Sequence, residues 1–147
     1  MKKERHKIIS ASYLLLFQDE KVLLLRRFNT GYEDGNYSVP AGHVDKGESV
    51  LDCLVREAKE EIDVLIDKKD VGLVHVMHRN GTDHNDEHLD FFFTCSKWDG
   101  ELKNMEPEKC DDLSWFNLQN LPQNTIPYIL RALEDVRDKK LYSESDW

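Results

Sequence analysis

The segment from Gly42 to Val64 constrains the fold of this 147-residue chain more than any other part of its sequence. Within it, apolar residues recur at helical spacing and predict an amphipathic helix from Ser49 to Ile62 with one face in a hydrophobic core. Ser49 and Asp52 stand where an N-terminal capping pair is expected, although Glu or Gln is more usual at the second position. The apolar face consists of Leu51, Leu54, Val55, Ala58 and Ile62.

Three glutamates share another face of this helix. Glu57, Glu60 and Glu61 are spaced i, i+3 and i+4, so they fall within an arc of roughly 100°. Like charges at this spacing repel, and the last turns of a helix disfavour anions. Two explanations are open: a solvated surface balanced by Arg56 and Lys59, which is the usual one for such a cluster taken alone, or carboxylates that hold a hard cation.

The residues around the glutamates favour the second explanation. The segment resembles the signature of the Nudix hydrolase family, G-x5-E-x7-R-E-U-x-E-E-x-G-U, in which U is a bulky aliphatic residue. Two positions depart from the signature: Ala58 is smaller than usual, and Asp63 replaces the glycine that would end the helix in a left-handed conformation. Asp tolerates that conformation better than most residues. The matching residues are Gly42, Glu48, Arg56, Glu57, Glu60, Glu61 and Val64.

The resemblance extends over roughly residues 8–135. The run Y-S-V-P-A-G-H at 37–43 resembles the family's usual lead-in to the signature. The run M-E-P-E-K-C-D-D-L-S-W-F at 105–116 resembles MutT-like members that hydrolyse nucleoside triphosphates. The family fold that this implies is an α/β/α sandwich with a mixed central sheet, in which the signature forms a loop, a helix and a loop.

Hydrophobic patterning along the rest of the chain agrees with one α/β (α+β) domain over residues 1–147. Polar loops are expected at 28–37 and 78–88 because these segments are rich in Gly, Asn and Asp. The expected strands and second helix are a hairpin of Ile8–Phe17 and Val22–Leu25, short strands at Ser38–Ala41 and Leu113–Phe116, strands at Val71–Met77 and Leu89–Cys95, and a helix at Ile126–Lys139.

The resemblance implies a divalent metal site on the predicted helix. Glu57 and Glu61 are the first expected ligands and Glu60 is the next, with Mg²⁺ as the metal and Mn²⁺ as a substitute. The backbone carbonyl of Gly42 would add a ligand close to the substrate. Carboxylate and carbonyl oxygens are the ligands that Mg²⁺ prefers.

The same resemblance implies the remaining catalytic groups. Arg56 is expected to orient a glutamate, including Glu48, through an ion pair. The general base is either a signature glutamate or one from the later loop, where Glu106 and Glu108 are the candidates and Glu108 is favoured by its place in the E-P-E-K run.

Substrate phosphates need cationic partners, and Arg26 and Arg27 end a predicted strand near the signature loop. Adjacent strand residues point to opposite faces, so one of the two is expected to face the substrate, and we choose Arg27, with Gly42, as the substrate-binding pair. The histidines match no zinc spacing and are expected to be surface or core residues. The histidines considered are His43, His75, His78, His84 and His88, five of the six in the chain.

The charge and cysteine content of the chain indicate which classes of ligand and which cellular compartment to expect. The chain carries 29 acidic and 20 basic residues, a formal charge of −9, without a basic stripe, so a nucleic-acid polymer is not expected. Instead, a cation would mediate between the acidic protein and an anionic ligand. Three widely spaced cysteines and no signal peptide favour the cytoplasm. The apolar run near the N-terminus is too short to span a membrane. Monomer and homodimer remain equally open.

The predicted activity is Mg²⁺-dependent hydrolysis of a phosphoanhydride bond in a nucleoside diphosphate derivative, first a nucleoside triphosphate giving a monophosphate and pyrophosphate. ADP-ribose, nucleotide sugars and CDP-alcohols are alternatives. The ADP-ribose branch is less favoured because 74–81 lacks the proline that such members often carry after the signature. A non-catalytic nucleotide sensor is disfavoured because such modules typically lose signature glutamates, and here they are intact.

Overall fold

The computed structural model describes residues 1–81 and 86–147 and shows a mixed α/β architecture. A short 3₁₀ turn at Lys68–Asp70 precedes the sixth strand. The strands are β1 (Ile9–Leu15), β2 (Phe17–Gln18), β3 (Lys21–Arg27), β4 (Tyr37–Ser38), β5 (Ala41–His43), β6 (Val71–Arg79), β7 (His88–Cys95), β8 (Cys110–Asn117) and β9 (Tyr142–Ser145), and the helices are α1 (Val50–Ile62) and α2 (Pro127–Arg137).

The strands form two sheets. The larger sheet is mixed and has the order β5-β1-β7-β6-β9, with parallel pairs β1–β7 and β6–β9 and antiparallel pairs β1–β5 and β6–β7. In the smaller sheet, β3 pairs antiparallel with β2, β4 and β8. The predicted mixed central sheet is therefore confirmed.

The large sheet separates two hydrophobic clusters because successive strand residues point to opposite faces. On one face, Tyr13 and Phe92 pack with Ile129 of α2. On the other, Leu14 packs with Leu54 of α1. Each fully buried side chain of this size contributes about 1.5–3 kcal/mol. A helix thus covers each face of the large sheet, which is the predicted sandwich.

Helix α1 begins and ends as its sequence predicts. The Ser49 hydroxyl accepts a hydrogen bond from the Asp52 backbone at 3.0 Å, and the Asp52 carboxylate accepts one from the Ser49 backbone at 3.4 Å. Asp63 adopts the left-handed conformation, with φ 59° and ψ 36°. Asp63 therefore takes the conformation for which the signature normally uses glycine.

Two strand predictions were wrong in the same way. The predicted hairpin of Ile8–Phe17 with Val22–Leu25 pairs only at its tip, because the chain leaves the large sheet at Leu16 and joins the small one. The single strand predicted at Ser38–Ala41 is instead β4 and β5 in different sheets. Pro40 lies between them and has no N–H to continue a ladder.

The predicted loop at 78–88 is shorter than expected, since β6 continues to Arg79 and β7 begins at His88. Residues 82–85, including His84, lie outside the described residues. The C-terminal strand β9 was not predicted. No helix in the part of the chain that the structure describes is long and apolar enough to cross a membrane.

Candidate active site

The glycine at the start of the signature lets α1 approach β5 closely. A Cβ atom built on Gly42 would lie 2.0 Å from Glu57 Oε1, far inside van der Waals contact. The carboxylate of Glu57 therefore occupies the space that any other residue at position 42 would fill. This close approach fixes the distance between the acidic face of α1 and the β5 backbone.

Arg56 forms hydrogen bonds with several carboxylates on and next to α1. Its guanidinium donates two hydrogen bonds to Glu48, at 2.7 and 2.9 Å, one to Glu57 at 2.7 Å and one to Glu60 at 3.3 Å. The guanidinium lowers the pKa of Glu48 to about 2, helped by the Asp45 backbone N–H. The predicted ion pair between Arg56 and Glu48 is confirmed.

Glu61 has a different environment. It accepts one hydrogen bond, from the Ala41 backbone N–H at 3.0 Å. Burial, together with the negative charges of Glu57 and Glu106, raises the pKa of Glu61 well above its usual range. Burial also raises the pKa of Glu57, although Arg56 opposes that shift. These carboxylates lie where an added cation would relieve both repulsion and desolvation.

These side chains line a cavity of about 440 Å³ between α1 and the small sheet. Four carboxylates line it, while Arg27 and Lys109 supply cationic groups. Carboxylate oxygens suit a hard divalent cation. Among the described residues, no three acidic, His or Cys side chains already converge on one metal position. The charged residues of the cavity are Arg27, Glu57, Glu60, Glu61, Glu106 and Lys109.

The structure separates the paired candidates of the sequence analysis. Arg27 lines the cavity, and its guanidinium is held by the Tyr32 carbonyl at 2.6 Å and the Thr30 hydroxyl at 3.0 Å. Arg26 instead pairs with Asp111 at 2.7 Å.

The two loop glutamates separate in the same manner. Glu106 lines the cavity, whereas Glu108 is exposed and is not among the lining residues. The preference for Glu108 over Glu106 therefore finds no support in the geometry. Lys109 was not singled out from the sequence, although it directly follows Glu108 in the same E-P-E-K run.

A second cavity, of about 570 Å³, adjoins the first and shares Leu25, Arg27 and Glu61 with it. Two of the predicted surface or core histidines, His43 and His88, line this cavity. The other polar residues of this cavity come from separate elements, so no periodic pattern in the sequence predicts that they lie together. These residues are Tyr13, Tyr32, Ser38, Arg79, Asp86 and Tyr128.

The remaining described histidines have protein partners. His75 is buried and contacts the Lys140 carbonyl at 2.7 Å and the Ser143 hydroxyl at 2.8 Å. His78 contacts Glu87 at 2.6 Å. Within residues 1–81 and 86–147, no group of histidines and other ligands is arranged as a metal site.

An α/β/α sandwich with a signature helix whose glutamates face a cavity is the architecture of a Nudix domain. The sequence model of the NUDIX domain matches residues 7–137, and the chain belongs to the Nudix family. Nudix hydrolases are generally dependent on a divalent metal. The family thus accounts for the acidic face of α1.

Relatives with assigned activities are about 31% identical to this chain over the aligned residues. An ADP-ribose pyrophosphatase of Methanocaldococcus jannaschii is 31% identical over 109 residues, which are 74% of this chain and 62% of that protein. An NAD-capped RNA hydrolase NudC of Pseudomonas putida (strain W619) is 31% identical over 118 residues, 79% of this chain and 39% of that protein. The chain thus spans less than two thirds of the length of these relatives.

Solved structures support the fold. The MutT NUDIX hydrolase of Burkholderia pseudomallei superposes with a TM-score of 0.80 at 25% identity, covering 88% of this chain and 98% of that one. The MutT protein of Methanosarcina mazei Go1 gives 0.77 at 20% identity, covering 93% and 98%. Both similarities extend over nearly the whole neighbouring chain, so the fold matches from end to end.

Proposed function

We propose that this chain hydrolyses a phosphoanhydride bond in a nucleoside diphosphate derivative with a divalent cation, Mg²⁺ before Mn²⁺. One observation carries the proposal: Glu57, Glu61 and Glu106 line the same cavity, where burial and the negative charges of Glu57 and Glu106 raise the pKa of Glu61. Hydrolysis breaks one P–O bond of the anhydride: the oxygen of water bonds to one phosphorus atom, the bridging oxygen leaves with the other phosphoryl group, and the general base takes the proton of water.

The residues that would hold the cation are Glu57, Glu61 and Glu60, with the Gly42 carbonyl beside them. When bound, the cation neutralises phosphate charge and lowers the pKa of a bound water. Arg56 touches the glutamates and lines neither cavity, so we assign it the role of a positioning residue for Glu57. Its fork of donors holds that side chain against Gly42.

Two cationic side chains would bind the phosphates. Arg27 is held by the loop at Thr30 and Tyr32, which leaves its guanidinium at the junction of the two cavities. Lys109 lines the first cavity beside Glu106. We assign Glu106 the role of general base because it lines the same cavity as the signature glutamates, whereas Glu108 lies outside it.

The first candidate substrate is a nucleoside triphosphate, giving a monophosphate and pyrophosphate. Its phosphates would occupy the first cavity and its nucleoside the second. ADP-ribose is the second candidate, since one of the relatives is an ADP-ribose pyrophosphatase. We propose a small nucleotide rather than a nucleic-acid polymer as the substrate, because the chain has a formal charge of −9.

A panel of the four standard nucleoside triphosphates, oxidised guanine nucleotides, ADP-ribose, UDP-glucose and CDP-choline tests the proposal, with Mg²⁺, Mn²⁺ or EDTA. Pyrophosphate released with a nucleoside monophosphate supports the first candidate, and AMP with ribose 5-phosphate supports the second. Turnover that EDTA leaves unchanged contradicts the metal site. Nucleotide binding without turnover would support the sensor alternative.

A further inference from the structure

The floor of the second cavity carries a polar cluster that the proposed metal and phosphate contacts do not use. Arg79 is opposite His88 in the β6–β7 ladder, and Met77 is opposite Asp90. Alternation along the strands therefore places Arg79, His88 and Asp90 on one face of the large sheet. Tyr128 comes from α2, which packs on that face.

Arg79 is held from two directions. Its Nε–H donates to Asp90 Oδ2 at 2.9 Å. Its guanidinium carbon lies 4.0 Å from the centre of the Tyr128 ring. Among residues 1–81 and 86–147, no acceptor contacts its two terminal nitrogens, although Arg79 lines the cavity. The four N–H groups on these nitrogens form the end-on fork that binds paired acceptors.

This cluster is poorly suited to stabilising the fold. The Asp90 side chain is fully buried, yet its second oxygen, Oδ1, has no hydrogen-bond partner in the described part of the chain, and neither has His88 Nδ1. The two atoms are 3.7 Å apart, too far for a hydrogen bond. A buried ion pair with an unsatisfied oxygen is often less stable than apolar residues of similar volume. Its position under a cavity indicates a binding role instead.

Charge balance identifies the kind of ligand. Arg79 and Asp90 cancel each other, and burial and the Arg79 charge lower the pKa of His88, so this histidine is neutral at pH 7. Tyr13 and Tyr128 are also neutral, since burial raises the pKa of each. The floor therefore has almost no net charge, which suits an uncharged planar group better than a phosphate.

The hydrogen-bonding pattern narrows the ligand further. An arginine fork matches two adjacent acceptors, such as O6 and N7 of guanine. The corresponding edge of adenine offers one acceptor and one donor, which suits Asn or Gln. We propose that Arg79, positioned by Asp90 and Tyr128, is a specificity-determining residue that binds the O6/N7 edge of a guanine base in the second cavity. This inference rests on the proposed function for the placement of the attached phosphates.

Binding of monophosphates in EDTA tests the inference without metal or turnover. By isothermal titration calorimetry, we expect GMP to bind about tenfold more tightly than AMP, as expected for one bidentate contact. The analogue 7-deaza-GMP, which lacks the N7 acceptor, should bind the wild-type protein several-fold more weakly than GMP. This ligand-side comparison needs no variant and is independent of any folding defect.

Arg79→Lys keeps the charge and removes the fork. We expect it to lower GMP affinity about tenfold, to leave AMP affinity nearly unchanged and to abolish the difference between GMP and 7-deaza-GMP. The matched control is Arg131→Lys, which alters a comparable pair, Arg131 Nε to Asp135 Oδ2 at 3.2 Å, outside the cavity. It should keep the wild-type preference.

Failure of the guanine assignment and failure of the proposed hydrolytic function give different results. AMP binding as tightly as GMP, or 7-deaza-GMP binding like GMP, overturns the guanine assignment whatever the catalytic result. Equal loss of GMP and AMP affinity in Arg79→Lys shows a merely structural role for Arg79 and overturns it also. If the preference for GMP holds but no substrate is hydrolysed with Mg²⁺, the inference stands and the proposed hydrolytic function fails.

Discussion

The acidic cluster on and around α1 has an outer and an inner part, and the two parts have different surroundings. The outer carboxylates, Glu48 just before the helix and the exposed Glu60 on it, accept hydrogen bonds of 2.7 to 3.3 Å from Arg56, although Glu60 also lines the first cavity. The inner carboxylates, Glu61 on the helix and Glu106 in the loop before β8, line the first cavity, and burial and repulsion raise the pKa of Glu61. Glu57 lies between them and contributes to both.

This contrast distinguishes a solvated surface from a cation site. A surface cluster would be neutralised by arginines or lysines throughout, as the outer part is. The inner part instead leaves carboxylates in a partly desolvated cavity, where their mutual repulsion opposes folding. A bound cation would offset this repulsion and stabilise the folded state, so the comparison can be tested with and without metal.

Removing one inner charge has the largest expected effect. Glu61→Gln keeps the volume and an oxygen for the Ala41 N–H, but removes a proposed metal ligand, so kcat should fall on the order of 1,000-fold. In EDTA at pH 8 its melting temperature should exceed that of the wild type, because the unpaired carboxylate is gone. Differential scanning fluorimetry and steady-state kinetics measure the two effects.

The sign of the stability effect follows from the raised pKa of Glu61. The folded state holds that proton more tightly than the unfolded state, so metal-free stability falls as pH rises from the usual value of 4.5 through the raised one. This decline should be weaker in Glu61→Gln. The exposed Glu134→Gln is the control and should match wild type in both assays. Full activity in Glu61→Gln would show that the inner carboxylates do not form the metal site.

Gly42→Ala tests whether close packing places Glu57 between the two parts. Its Cβ would meet Glu57 Oε1 at 2.0 Å, so the carboxylate or the strand must move. We expect kcat/KM to fall about 100-fold, since an ångström of misplacement can cost that much, and stability to fall by about 1–3 kcal/mol.

Gly72→Ala is the matched control for Gly42→Ala, because its Cβ would meet only the Thr94 hydroxyl, at 3.8 Å. Both glycines lie in strands of the large sheet. If the two variants lose activity equally, close contact with Glu57 is not the cause.

Removing the Arg56 guanidinium should have an intermediate effect on kcat/KM and should change how stability depends on pH. Arg56→Gln should lower kcat/KM about tenfold, as is typical when a group that positions a ligand is lost. In the wild type, Arg56 keeps the pKa of Glu48 near 2, so the resulting stability is present above the usual value of 4.5 and is lost as pH falls towards 2.

The difference in melting temperature between wild type and Arg56→Gln should therefore be greatest above about pH 5 and should shrink towards pH 2. Arg137→Gln is the control, since Arg137 pairs with Asp138 at 3.1 Å on an exposed surface. A difference that stays constant between pH 6 and pH 3 contradicts the assigned role of the Glu48 ion pair.

The two ends of α1 were predictable from the sequence, whereas the pairing of strands distant in sequence was not. The capping pair of Ser49 and Asp52 depends on neighbouring backbone, so spacing predicted it, and the resemblance to the signature, which has glycine at position 63, predicted the left-handed Asp63. The departure of the chain from the large sheet at Leu16 depends on tertiary contacts and leaves no mark in a continuous apolar run. The hairpin and the strand at Ser38–Ala41 were therefore misassigned.

The same distinction holds for the site. The signature glutamates are close in sequence, so their shared face followed from helix geometry. Glu106 and Lys109 come from the loop before β8 and Arg79 comes from β6, so these residues reach the two cavities only after folding. From the sequence, Glu108 was favoured over Glu106 for its place in the E-P-E-K run, but the path of the loop into β8 places Glu106 in the cavity.

Asp63→Gly should have the smallest effect and tests the end of α1 rather than its charges. At φ 59°, glycine avoids the cost of a Cβ in the left-handed region, about 1–2 kcal/mol. Against this stand the greater freedom of glycine in the unfolded chain, about 0.5–1 kcal/mol, and the exposed pair with Lys59, below about 1 kcal/mol. We therefore expect a melting temperature equal to wild type or a few degrees higher. Lys59→Gln removes the ion pair alone, so a larger loss of stability in Asp63→Gly than in Lys59→Gln would show that Asp63 does more than end the helix.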